Sequence, residues 1–77
     1  MNELIAELLE INSDNGIPKN VRLKISDAIL ALQQEDKEDS IKANKALQKL
    51  DEISDDPNMP SYTRTQIWNV VSQLESI

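Results

Sequence analysis

SDDPNMPSYTRTQIWN, residues Ser54 to Asn69, holds two of the chain's three prolines, its only tyrosine and its only tryptophan. Its density suggests a site, yet it has a counterpart 42 residues earlier: NSDNGIPKNVRLKISD, Asn12 to Asp27. Asp14 falls on Asp56, Pro18 on Pro60, Arg22 on Arg64 and Ile25 on Ile67. Outward from there the same offset pairs Asn2 with Asn44, Leu8 with Leu50, Glu10 with Glu52, Ile11 with Ile53 and Leu32 with Leu74. That makes nine identities across 35 overlapping positions without a gap. Ile5 with Leu47, Ile17 with Met59 and Ile29 with Val71 are conservative pairs. The chain therefore reads as two copies of one unit: helix, turn with an aspartate, apolar-proline step, helix with an early arginine.

The apolar residues recur at helical spacing and nowhere alternate as a strand would. The first helix is expected over Asn2 to Asn12, with a stripe of Leu4, Ile5, Leu8 and Ile11. The second opens at Pro18, where the missing N–H costs nothing, and carries Val21, Ile25, Ala28, Ile29 and Leu32. The third starts near Asp39 or Ser40, either of which suits a cap, and carries Ala43, Ala46, Leu47, Leu50 and Ile53. The fourth opens at Pro60 or Ser61 and carries Ile67, Val70, Val71 and Leu74. One αα-hairpin cannot bury its stripe alone, whereas two can close on each other. The expected fold is an all-α, four-helix up-and-down bundle of two tandem HEAT-like αα-hairpins. The 42-residue period and the Asp, Pro, Arg order suggest the HEAT class. One domain is expected over 1–77, with hairpin one at about 1–35, an acidic loop at about 35–40 and hairpin two at about 40–77.

Composition narrows the function classes. The formal charge is −6 and the pI about 4.4, which argues against a nucleic-acid backbone or an anionic membrane as partner. The chain has no cysteine and no histidine. It thus lacks thiolate chemistry and the commonest general base and metal ligand. Its start, MNELIAELLEIN, has no basic region of the secretory kind, and no apolar run approaches a membrane span. A cytoplasmic location is the expectation.

The stretch LDEISDDPNMPSYTRTQIWNVVSQLE, Leu50 to Glu75, resembles the signature of uncharacterised protein family 0147, a family of small archaeal proteins. IPKNVR, Ile17 to Arg22, is similar to the family's first hairpin turn. The resemblance covers nearly the whole chain and is sharpest in its C-terminal third. It implies a small all-helical bundle of archaeal origin, with no established activity, cofactor or catalytic residue, so no site residue is carried over.

Each candidate residue has a structural and a functional reading. Asp14, Pro18 and Arg22, with Asp56, Pro60 and Arg64, are expected to build the two turns. Each arginine would reach back towards its aspartate or the last carbonyls of the preceding helix. The alternative makes the two arginines an anion-binding pair. The acids Asp51, Glu52, Asp55 and Asp56 suggest a hard-cation site, but they lack the ligand rhythm and glycine turn of a calcium loop. Trp68 lies about 100° from Ile67 on the helical wheel. It reads as a core residue closing one end of the bundle, or else as an interface anchor. Tyr62 reads as a lid over the 57–60 turn or as an exposed aromatic. Leu23 and Leu30 stack seven residues apart but lie about 140–160° from Ile25, and their counterparts Thr65 and Ser72 are polar. They are the expected face for a partner or for self-association.

The resulting expectation is a non-enzymatic interaction module binding a protein partner or itself. It would need no cofactor and take no nucleic acid, membrane or small-molecule substrate. The alternative is a small enzyme or cation-binding protein using the turn carboxylates with Arg22 and Arg64.

Overall fold

In a computed structural model that describes residues Met1–Ile77, the stripes become four α-helices and no strand: α1 Asn2–Asn12, α2 Lys19–Leu32, α3 Asp39–Asp51 and α4 Ser61–Glu75. Contacts join α1 to α2, α2 to α3, α3 to α4 and α4 back to α1, and neither diagonal pair touches. This ring is the up-and-down topology of a closed four-helix bundle, measuring 34 × 19 × 19 Å. The turn after α1 and the turn after α3 therefore lie at one end, and the 33–38 loop lies at the other with both termini. The ring does not in itself make the hairpins HEAT repeats.

One apolar cluster of 17 buried residues draws on all four helices and both turns. The stripes supply most of it, with Ile5, Leu47 and Val71 only half-buried against its edge. Ile17 and Met59, the apolar residues before each helix-opening proline, close the turn end of the core. Thr63 is fully buried at the place that Val21 fills in the first hairpin. The most extensive contact is between α2 and α3. These helices carry Ala28, Ala43 and Ala46, the smallest buried side chains, and small side chains let helix axes approach. At an offset of 42 the corresponding residues are Val70, Met1 and Leu4, which bring more bulk to α4 and α1.

The helix starts differ from expectation in detail. Pro18 is a cap residue rather than the first helical residue, and of the two starts expected for α4 it is Ser61 that holds, with Pro60 as its cap; ψ is 148° at both prolines. Their carbonyls accept the N–H of Arg22 and Arg64 at 3.1 Å. Neither Asp39 nor Ser40 caps α3; Glu38 holds that position without a side-chain bond, and its carbonyl accepts from Ile41 and Lys42 at 3.1 Å each. Asp39 sits in the first turn of α3, where its charge opposes the positive end of the helix dipole.

Candidate functional site

The two turns share one geometry. Asp14 Oδ1 accepts the N–H of Gly16 at 2.8 Å, and Asp56 Oδ1 accepts the N–H of Asn58 at 2.9 Å. Each is an Asx turn, the local bond that lets aspartate replace a backbone acceptor. The second oxygen of each carboxylate reaches the other hairpin. Tyr62 donates its hydroxyl to Asp14 Oδ2 at 2.7 Å, and Asn20 donates its Nδ2 to Asp56 Oδ2 at 2.8 Å. Positions 20 and 62 are themselves 42 apart, so the bonds form a reciprocal pair of clasps. The Tyr62 hydroxyl, then the Gly16 N–H, holds the Asp14 carboxyl below its ordinary value. The Asn20 amide, then the Asn58 N–H, does the same for Asp56, with Arg64 adding to it. The Asp14 carboxylate in turn holds the Tyr62 phenol above its ordinary value. Tyr62 is thus no lid over the 57–60 turn: its ring is exposed while its hydroxyl ties α4 to the opposite turn.

The arginines part company. Arg64 donates Nη2 to the carbonyl of Asp56 at 2.8 Å, as a turn-building residue should. Arg22 makes no such bond and has no ion pair. It lines an open cleft of about 450 Å³ with Asn12, Ile17, Lys19, Leu23 and Ser26. No cleft is lined by both arginines, so the anion-binding pair is not assembled. The turn acids are dispersed as well. Glu52 pairs with Lys24 at 3.0 Å, which lowers its pKa, and Asp56 is engaged in its clasp. No group of three or more acidic side chains is placed to hold a metal ion.

Of the two readings of Trp68, the core one fails. The residue is 58% exposed and belongs to no part of the core, so it does not close the bundle. Its counterpart Ser26 accepts a hydrogen bond from Asn12 Nδ2 at 3.0 Å. That bond fixes the register of α1 against α2. Because the helices are antiparallel with equal rise, three residues back from Asn12 lies level with three residues on from Ser26. Leu9, 52% exposed, therefore sits level with Ile29 and Leu30. Leu23 and Leu30 are each 58% exposed on the same outer face. Leu9 escaped the sequence reading because it adjoins the core residue Leu8. Its counterpart Asp51 was the signal that could have found it. The outer face of hairpin one thus carries three leucines where hairpin two carries Asp51, Thr65 and Ser72. No helix is long and apolar enough to cross a membrane.

Comparison with known proteins agrees along the whole chain. Residues 1–77 match an uncharacterised protein family, UPF0147. A UPF0147 protein of Metallosphaera sedula is 48% identical over 75 residues, covering 97% of this chain and 84% of that protein. One from Pyrococcus furiosus is 45% identical over 78 residues, covering all of this chain and 84% of its own length. The crystal structure of an unknown-function protein, MMP1188, superposes with a TM-score of 0.94 at 45% identity, covering 99% of this chain and 86% of that one. The family match over the whole chain, the archaeal relatives and the shared four-helix fold converge: the chain belongs to uncharacterised protein family UPF0147.

Proposed function

We propose that this protein is a small, non-enzymatic helical module that binds a protein partner, or a second copy of itself, through the outer face of hairpin one. The observation that carries this reading is the leucine face. Leu9, Leu23 and Leu30 are largely exposed on α1 and α2, and all three counterparts on hairpin two are polar. A bundle of this size stabilises itself by burying apolar surface, so three leucines left outside on one side favour a surface meant to be covered. At those three positions hairpin two carries Asp51, Thr65 and Ser72, and its largest exposed apolar side chain, Trp68, stands at a different position. Support also comes from the two arginines, which line no common cleft, and from Arg64, Glu52 and Asp56, whose side chains already hold structural bonds.

A photo-crosslinking residue placed at position 30 and, separately, at its counterpart position 72 tests the reading in the native cell. Adducts from position 30 with none from position 72 support it; equal labelling overturns it. Light scattering on purified protein separates the two kinds of occupant. A dimer abolished by Leu23→Glu or Leu30→Glu means a second copy, and a strict monomer at high concentration removes self-association.

A further inference from the structure

Hairpin two shows what hairpin one lacks. At the outer groove between α3 and α4, the arginine is turned inward, with Nη2 on the Asp56 carbonyl and Nε buried without a partner, and position 68 carries an indole. The counterpart positions Ser54, Met59, Ser61, Arg64, Thr65 and Trp68 line no cavity. In the matching groove between α1 and α2 position 26 carries the small Ser26, and an open cleft of about 450 Å³ lies there. That volume is in the range of small-ligand and side-chain pockets. Its floor is the buried Ile17, and Leu23 stands at its wall. Its rim carries Lys19 and Arg22. Both ion pairs of the molecule lie elsewhere, at Lys24–Glu52 and Lys42–Asp39. The nearest turn carboxylate, Asp14, is committed to Gly16 and Tyr62. Two unpaired cations thus share one apolar-floored cleft in a chain of net charge −6.

We infer that this cleft binds an acidic segment of a partner protein, with a carboxylate on Arg22 and Lys19 and an adjacent aromatic side chain against Ile17 and Leu23. Guanidinium and carboxylate make paired, charge-assisted hydrogen bonds, and an aromatic ring beside them gains from stacking on the guanidinium plane. The ring occupies the groove that Trp68 adjoins in the other hairpin. A second copy of this chain is not the occupant through its own Trp68. The α1–α2 and α3–α4 grooves face opposite sides of the ring of helices, so that contact would be head-to-tail and would not close about a two-fold axis. The inference rests on the reading of hairpin one as the interaction face, because Leu23 belongs to both, and it adds the chemistry of the partner.

The test is a nitrogen-15 NMR titration of the full chain with the blocked peptide acetyl-EWDL-amide and its uncharged analogue acetyl-QWNL-amide. The acidic peptide is expected to shift the Arg22 Nε–H and the amides of Lys19, Leu23 and Ser26. The uncharged one should bind about tenfold more weakly or worse, a difference of about 1.4 kcal/mol or more. Arg22→Gln should cost about as much, and Ser26→Trp, which rebuilds the hairpin-two arrangement, should abolish binding. Lys19→Glu, at an exposed position, serves if Ser26→Trp perturbs the fold by circular dichroism. Equal binding of the two peptides, shifts mapping away from the cleft, or binding that survives both Arg22→Gln and Lys19→Glu overturns the inference. Leu30→Glu lies outside the cleft and should leave peptide binding intact. Peptide binding without crosslinks at position 30 sinks the interaction-face reading, and crosslinks without peptide binding sink this one.

Discussion

Thr63 and Tyr62 show how neighbouring residues can differ in what their side chains do for the fold. The Thr63 hydroxyl is buried without a hydrogen-bond partner, where the first hairpin has Val21. A buried unsatisfied hydroxyl costs about 1–3 kcal/mol, and valine has nearly the same shape. Thr63→Val is therefore expected to stabilise the protein by about 1 kcal/mol in urea unfolding; a loss of stability would mean the hydroxyl has a partner in solution. Tyr62 gives a titration prediction instead. The folded-state pKa of Asp14 is depressed, so its clasp contributes stability above the ordinary carboxyl value of 3.8 and loses it as pH falls through the lowered value. Tyr62 is raised, so its part is complete below 10.0 and is lost as pH climbs through the raised value. Tyr62→Phe should move the Asp14 midpoint up towards 3.8 and leave Asp56, held by Asn20, where it is. Carbon-13 NMR of the side-chain carboxyls reads both, and an unmoved Asp14 midpoint would show that the clasp is absent. Neither bond was legible in the sequence, because each joins residues far apart in the chain (48 positions for Tyr62 and Asp14, 36 for Asn20 and Asp56).

At the level of elements, helical periodicity and the repeat located the starts of all four helices to within a residue, because a stripe that must face a core leaves a regular trace, while Ile53 of the third stripe lies beyond the end of α3. Trp68 admits two readings from sequence because it lies at the edge of the stripe that buries Ile67, and the angle of about 100° leaves its ring outside the core. Ile67→Ala is expected to cost about 2–5 kcal/mol, whereas Trp68→Ala should cost less than about 1 kcal/mol. Reversal of that order in chemical denaturation would restore the tryptophan to the core. The turns invite a similar comparison. Gly16 is the chain's only glycine, yet no residue adopts a positive φ, and Asn58 makes the same Asx bond at the matching place. A side chain at 16 would approach Asp14 Oδ1 at 3.2 Å, a small adjustment for a carboxylate. Gly16→Asn is expected to change stability by less than about 1 kcal/mol, and a drop beyond that in thermal melting would show that the turn needs glycine for another reason.

For the molecule as a whole, the 17-residue cluster belongs to both hairpins at once, so neither half has a core of its own. A peptide of residues 1–37 is expected to be largely unfolded by circular dichroism under conditions where the full chain is helical. A stably helical monomeric peptide would contradict the shared core. The leucine face was half legible for a related reason. Leu23 and Leu30 stand out on one helical wheel, but Leu9 joins them only once Asn12 and Ser26 align two helices side by side. The cleft was not legible at all, since it is defined by what Ser26 fails to fill and by a bond that Arg64 makes and Arg22 does not.

The reciprocal clasps also give the bundle a direction. Asp14 with Tyr62 and Asp56 with Asn20 latch the two hairpins at the turn end. At the opposite end residues 33–40 are all exposed, and the side-chain bond that ties α4 to α1, Gln73 to Glu7, is long at 3.5 Å. Polar ties between the hairpins are thus gathered at the turn end, and the other end is held chiefly by apolar packing. Amide exchange should therefore be fastest around the 33–38 loop and the chain ends and slow towards the turns, so that the cleft beside Arg22 stands at the end that opens last.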